Sequence, residues 1–331
     1  MQGNAFFITS FDFNKLMLGL AAESKLFVPS QQHYQVLVKE GIIYDEIRPI
    51  EPLKCFFFAP REVVIKYPRV EPATFIGVKN CDLRSLEVLD KIFRSEDFKD
   101  IRYIEKRQKS CLISADCSQP GESCFCTLMN STPYPQEGFD LNLSKVEGGF
   151  VVEVGSEKGK EIIAKNKDLF VEASQSQLEE RERNRQAVLK QVEKQNEALV
   201  LNKPFDQIVK EGLDSPVWEE LARRCVECGA CTNICPTCHC FLLHDLKTKE
   251  EFERIRTWDS CCYPGFAKIG GDTNPRPKLS NRFRHRYIHR FVFFPENFGM
   301  SSCVGCGRCI ETCLVGIDLR EDLKRLEKVR V

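Results

Sequence analysis

The chain of 331 residues has no apolar run approaching the ~18–20 residues that a membrane-crossing helix needs, so no membrane span is expected. It has no excess of either charge: 48 Lys and Arg balance 48 Asp and Glu, and net charge argues for no particular partner. There is no G-x-G-x-x-G after a strand, no G-x-x-x-x-G-K-[ST] loop, no H-E-x-x-H and no G-x-S-x-G elbow. That removes the motif evidence for dinucleotide binding, P-loop chemistry, zinc proteolysis and serine hydrolysis. Paired C-x-x-C motifs at the two chain ends, which could hold a nickel–iron centre, are also missing. The N-terminal stretch lacks a basic flank, and Asp12 and Lys15 interrupt its apolar residues. It reads as an amphipathic helix rather than a signal peptide, and a cytoplasmic setting is expected.

What the chain has in excess is cysteine, eighteen in all. Disulfide scaffolds of such density belong mostly to short secreted domains, and this chain is neither short nor visibly secreted. Thiols clustered in a reducing compartment more often bind metal.

Pattern and composition suggest an α+β chain. Residues 1–170 read as a mixed α/β module, 171–204 as a charged helical connector, and 205–331 as a mostly helical, cysteine-rich domain. In the first part, residues 1–22 suggest one helix. SKLFVPS, YQVLVKEG and CFFFAPREVVIKYP read as short strands. EPATFIGVKNCDLRSLEVLDKIF reads as a buried strand turning at Asn80–Cys81 into a helix, Cys111 to Asp140 as mostly loop, and GFVVEVGS as extended.

In RCVECGACTNICPTCHCF, Cys225, Cys228, Cys231 and Cys235 follow C-x2-C-x2-C-x3-C-P. SSCVGCGRCIETCLVG repeats the run with Cys303, Cys306, Cys309 and Cys313. This is the bacterial-ferredoxin spacing for [4Fe–4S] clusters. Three thiolates two residues apart can curl around one face of a cubane, and the fourth points away to complete the neighbouring cube. One cluster is therefore expected on Cys225, Cys228, Cys231 and Cys313, the other on Cys303, Cys306, Cys309 and Cys235. Zinc is the competing reading, but its ribbons use two C-x2-C knuckles rather than two four-cysteine runs. Leu314 replaces the proline expected after the fourth cysteine of the second run. Residues 236–302 form a long insertion between the runs and are expected to project from a ferredoxin-like [4Fe-4S] dicluster domain.

CPTCHCF, WDSCCYPGFAKIGG, NPRPKLSNRFRHRYIHRFV and CVGCGRCIETCLVGIDL together resemble the iron–sulfur subunit family shared by soluble sulfhydrogenase, where it is the beta subunit, and anaerobic sulfite reductase. The resemblance extends upstream through KCFFFAPREVVIKY, GVKNCDLRSLEVLD and CSQPGESCFCTLMNSTPYPQEGFDLNL, so it covers nearly the whole chain. It implies an electron-relay role. One neighbour would be a flavin-bearing NAD(P)H-linked or ferredoxin-linked subunit. The other would be a catalytic partner such as a hydrogenase, a sulfite reductase or a heterodisulfide-reductase-like protein. The resemblance also makes Cys81, Cys117, Cys124 and Cys126 candidate ligands of a third [4Fe–4S] cluster, against the reading that Cys81 and Cys117 are buried thiols.

Cys55 and Cys111 sit beside apolar residues and read as packing. Of Cys238, Cys240, Cys261 and Cys262, adjacent Cys261 and Cys262 can rarely both ligate one ion, so Cys238, Cys240 and Cys261 read as a further redox or metal centre or, preferably, all four as packing around the clusters. His239 and His244 are not expected as ligands. RPKLSNRFRHRYIHR (276–290) contains no acid and could face nucleic acid. Offsetting cluster charge, or docking a partner, is the preferred reading. The electron relay ranks first among functions. A flavin-containing iron–sulfur reductase of a small substrate, with GVKNCDLRSLEVLD as its phosphate-facing element, ranks second. A nucleic-acid-binding module with structural metal ranks last.

Overall fold

Thr9 closes a strand and opens a helix. Its hydroxyl accepts the Asp12 amide at 3.1 Å, a capping contact that starts the helix Ser10–Glu23. Phe13, Leu16, Met17 and Leu20 recur on one face of that helix and are all buried. Where the sequence suggests a single helix over 1–22, Ala5–Thr9 is instead a strand, paired antiparallel with Gly149–Val154. Phe6, Phe7 and Ile8 favour a pleated surface, and the helix begins only where a cap permits it. The computed structural model describes residues 5–30, 33–36, 47–65, 68–249 and 251–329.

The chain divides into two compact units, Met1–Leu53 with Arg69–Gln195, and Lys54–Pro68 with Asn196–Val331. The first is built on an eight-stranded sheet. Its order is Tyr34–Val36, Lys25–Pro29, Ala73–Val78, Ser110–Ala115, Leu141–Val146, Gly149–Val154, Ala5–Thr9, Val171–Glu172. The four strands from Lys25–Pro29 to Leu141–Val146 run parallel. Ile76, Val78, Ile113, Ala115, Leu141 and Leu143 are buried in them, as befits strands covered on both faces. The core gathers Ile76, Ile113, Leu141 and Val152 with the Ser10–Glu23 helix.

Two further expectations are corrected. Residues 111–115, expected as the start of a loop, belong to the central parallel strand Ser110–Ala115; its apolar run without alternation hides the period of two. In the second unit, Cys55, Phe56 and Phe57 lie in the short helix Lys54–Phe57, and only Arg61–Val63 of that stretch is a strand. The YQVLVKEG strand is seen over Tyr34–Val36, and its remainder lies outside the described residues.

The helix Gln175–Asn196 buries Arg185, Val188 and Val192. Arg185 donates to Asp116 Oδ2 at 2.7 Å and pairs with Glu153, which pins this helix to the end of the sheet.

In the second unit, Phe241–Lys247, Phe252–Trp258 and Arg61–Val63 form an antiparallel sheet with Ile255 opposite both His244 and Val63. The insertion 236–302 does not project as a whole. Its helix Leu279–Ile288 runs through one π-helical turn, His289–Phe293, and buries Arg282, Phe283, Arg286 and Tyr287. Trp218 packs on Tyr287 with ring centroids 5.1 Å apart, so this helix belongs to the unit's core. Among the described residues no helix is long and apolar enough to cross a membrane.

Candidate metal centres

The two cysteine runs fold into matching loops. Glu227 and Gly229 take positive φ (57° and 70°), and Gly305 and Gly307 do the same (67° and 75°). Gly229 and Gly307 then cap the four-residue helices Ala230–Asn233 and Arg308–Glu311, which carry Cys231 and Cys309 at their second positions. The left-handed turns wrap each loop inward and turn backbone N–H groups toward sulfur. The Glu227 amide reaches Cys225, and the Gly305 amide reaches Cys303. A Cβ on Gly229 would lie 2.6 Å from the Tyr263 hydroxyl, so both the turn and the packing require glycine there.

Cys225, Cys228 and Cys231 line one cavity with Cys313, the last cysteine of the other run, and with Cys309 of that run. Cys262, Phe283 and Arg286 close its inner side. The Ile317 amide donates to Cys313 Sγ at 3.2 Å. Around the second loop, the Cys303 thiol lies within electrostatic reach of Cys309 and Cys235, and Cys306 is buried in the same turn. Burial pushes the Cys303 thiol up to about 12. Cys235 goes the other way: a hydrogen bond from the Cys238 thiol, with Arg290 and Lys54 nearby, holds it well below the ordinary thiol value.

Among the described residues no three Cys, His, Asp or Glu side chains converge to hold a single metal ion. A cubane asks instead for thiolates spread over its corners. A second observation concerns charge. Arg286 and Arg290 are 5% and 3% exposed, and among the described residues Arg286 Nε and Arg290 Nη1 have no hydrogen-bond partner. Two buried guanidinium groups beside these loops call for negative charge, which a thiolate-bound iron–sulfur cluster supplies. The donor set and its surroundings fit [4Fe–4S] centres.

In the first unit, Cys117, Cys124 and Cys126 lie within electrostatic reach of one another, and burial raises Cys117 to about 11 and Cys126 to about 12. Their loop is tied down by Cys117 N–H to Pro133 O at 2.9 Å and by Gln195 to the Cys124 carbonyl at 2.6 Å. Cys81 starts the helix Asn80–Phe93, just past the strand Ala73–Val78, and Cys117 follows the neighbouring parallel strand Ser110–Ala115. Adjacent strands run ~4.8 Å apart, and sites in open α/β sheets gather at such carboxyl ends. Asn80 also donates to Ser131 Oγ (3.2 Å) and Thr132 O (2.8 Å), joining the start of that helix to the cysteine loop.

The remaining cysteines are less isolated than their sequence context suggests. Cys111 lies in the sheet, and burial together with Asp140 raises its thiol. Lys54, 1% exposed, donates to Cys238 O at 3.0 Å and sits 3.9 Å from the Trp258 ring centroid. Cys238, Cys235, Cys55 and Cys240 are all within its electrostatic reach. Cys262 and Cys231 share a hydrogen bond. His239 Nδ1 lies 3.0 Å from Thr237 O.

Lys54, Arg286 and Arg290 are the residues that reading the sequence did not single out. For the arginines a signal was present: Arg282, Arg286 and Arg290 recur every fourth position, which puts them on one helix face.

Residues 224–317 match the family described as a 4Fe-4S dicluster domain. A relative, sulfhydrogenase 2 subunit beta from Pyrococcus furiosus, is 35% identical over 299 residues, spanning 86% of this chain and 85% of the relative.

Proposed function

Because this chain belongs to the sulfhydrogenase beta-subunit family, we propose that it is a non-catalytic electron-relay subunit of a cytoplasmic oxidoreductase complex. Its redox groups are two [4Fe–4S] centres. Cys225, Cys228, Cys231 and Cys313 hold one, and Cys303, Cys306, Cys309 and Cys235 hold the other. The observation that carries this reading is the cavity that Cys313 shares with the three cysteines of the distant first run. A bound [4Fe–4S] centre supplies one-electron uptake and release. The chain's own part is to hold the thiolates, exclude water around Cys235, Cys303 and Cys309, and direct amides and cations at the sulfurs.

Its partners, on this reading, are two: a catalytic subunit, and a flavin-bearing NAD(P)H-linked or ferredoxin-linked subunit. The cysteine-rich part, 205–331, is the relay, and the α/β part, 1–170, anchors a partner. A third [4Fe–4S] centre on Cys81, Cys117, Cys124 and Cys126 extends the relay. Its support is the mutual reach of three of these thiols and the place of the fourth at the adjacent strand end.

Anaerobic purification tests the proposal. The chain should hold about eight irons for two centres, or about twelve with the third, and dithionite should produce cluster EPR signals. Well under eight irons, or no signal after reduction, overturns it. Cys124→Ala should lower a count of about twelve to about eight and leave the other signals in place.

A further inference from the structure

Four of the buried arginines have carboxylate partners. Arg185 pairs with Asp116, Arg256 with Glu62, Arg282 with Glu227 and Arg320 with Asp318. Arg286 and Arg290 are as deeply buried, yet among the described residues neither forms an ion pair with Asp or Glu. A carboxylate within electrostatic reach of Arg286, Asp322, already accepts a hydrogen bond from the Tyr287 hydroxyl. Arg290 spends one nitrogen on Cys238 Sγ, at 3.1 Å, and Nη1 has no partner among the described residues.

The two side chains sit one helical turn apart and repel each other, so neither position is explained by the protein's own charges. Their surroundings differ. Arg286 lines the cavity of Cys225, Cys228, Cys231 and Cys313, and Cys231 is the thiol that acts on it most strongly, with Cys309, which also lines that cavity, acting on it less. Arg290 lies within reach of Cys235, Cys309 and Cys303, and the π-helical turn His289–Phe293 carries it. An extra residue in the turn rotates the helix relative to a regular α-helix.

Resting on the two-centre reading above, we propose that Arg286 and Arg290 are positioning residues that set the two reduction potentials separately. Arg286 raises the potential of the centre on Cys225, Cys228, Cys231 and Cys313, and Arg290 raises that of the centre on Cys235, Cys303, Cys306 and Cys309. Reduction adds one negative charge to a centre. A fixed cation in a water-poor interior therefore stabilises the reduced form more than the oxidised one.

The test is an EPR-monitored redox titration of the anaerobically purified full chain, with iron determined in parallel. Cys228→Ser and Cys303→Ser assign the two signals. In Arg290→Gln with full iron, the reduced-to-oxidised ratio of the second centre at fixed poise should fall by about tenfold, a shift of about 59 mV for one electron. The first centre should move less, and Arg286→Gln should show the reverse order. Arg286→Lys and Arg290→Lys keep the charge and should stay near the wild-type midpoints. Full iron with unmoved midpoints, or equal shifts of both centres from either variant, overturns the proposal. If a Gln variant loses its iron, the Lys variant decides: a loaded centre at the wild-type midpoint supports a charge role, and loss of iron there too makes the arginine a geometric prop and overturns it. Wild-type chain holding fewer than two centres would instead remove the reading on which this rests.

Discussion

Single residues were readable where chemistry fixes the spacing. The four-cysteine runs of a 4Fe-4S dicluster domain are legible in sequence because cubane ligation asks for positions only two or three residues apart. The cations that face them could not be chosen, since 276–290 offers six basic side chains and only the fold decides which turn inward. Arg282 is spent on Glu227 and on the Cys262, Arg276 and Pro277 carbonyls, whereas Arg286 and Arg290 are not. Gly229 is a further case of fold acting on one residue. An alanine at its φ of 70° meets backbone strain of about 1–2 kcal/mol and must also displace the Tyr263 ring, at about 1–3 kcal/mol more. Gly299 has nearly the same φ, 71°, with nothing within 4 Å of its absent Cβ. Gly229→Ala should therefore lower the stability of the loaded chain by about 2–5 kcal/mol and reduce its iron content, while Gly299→Ala should cost only the strain. Denaturant unfolding of both variants, with iron determined, checks this; equal losses would show that Tyr263 plays no part.

At the scale of elements, the strand–turn–helix around Asn80 was legible because its apolar run and its helical period differ clearly. Ala5–Thr9 and Ser110–Ala115 were not, since FFI and CLISA fit a helix or a loop margin as well as a strand until the sheet supplies partners. The helix Leu279–Ile288 and its π-helical extension carry a pH dependence that sequence could not give. Burial depresses His285 to about 4 and His289 to about 3, so both are neutral where an exposed histidine begins to charge. A histidine depressed on folding contributes stability that is whole above the unfolded value, about 6.5, and is lost as pH falls through the folded one. Acidification also forces charge next to Arg284 and Arg290. Between about pH 7.5 and pH 5.5 each histidine should remove about 1 kcal/mol. Anaerobic denaturant unfolding across that range should show the decline, and His289→Gln should flatten it by its share. An unchanged slope would mean that His289 is solvated.

For the whole molecule, the sequence divides into an α/β part and a cysteine-rich part. It did not foretell that the chain leaves the first unit at Lys54, adds Arg61–Val63 to the second unit's sheet, and returns at Arg69. Nothing in CFFFAPREV marks that excursion, because its strand pairs with residues some 190 positions later and only long-range pairing defines it. The two units also differ in what holds them. The first has a continuous apolar core from Ile8 and Phe13 through Ile76, Ile113 and Val152. The second places Arg286, Arg290 and Lys54 in its interior among cysteines. Removing bound iron leaves those cations without their counter-charge, and an uncompensated buried charge costs about 3–5 kcal/mol. Chelation should therefore loosen one unit and spare the other. Hydrogen exchange of the chelated chain should show protection lost over Leu279–Phe298 and Leu319–Lys328 and retained over Ala73–Val78 and Leu141–Val154, with any change in the first unit confined to residues 116–133. Equal loss in both units would mean that the sheet, too, depends on metal, and that its apolar core is not sufficient to hold it.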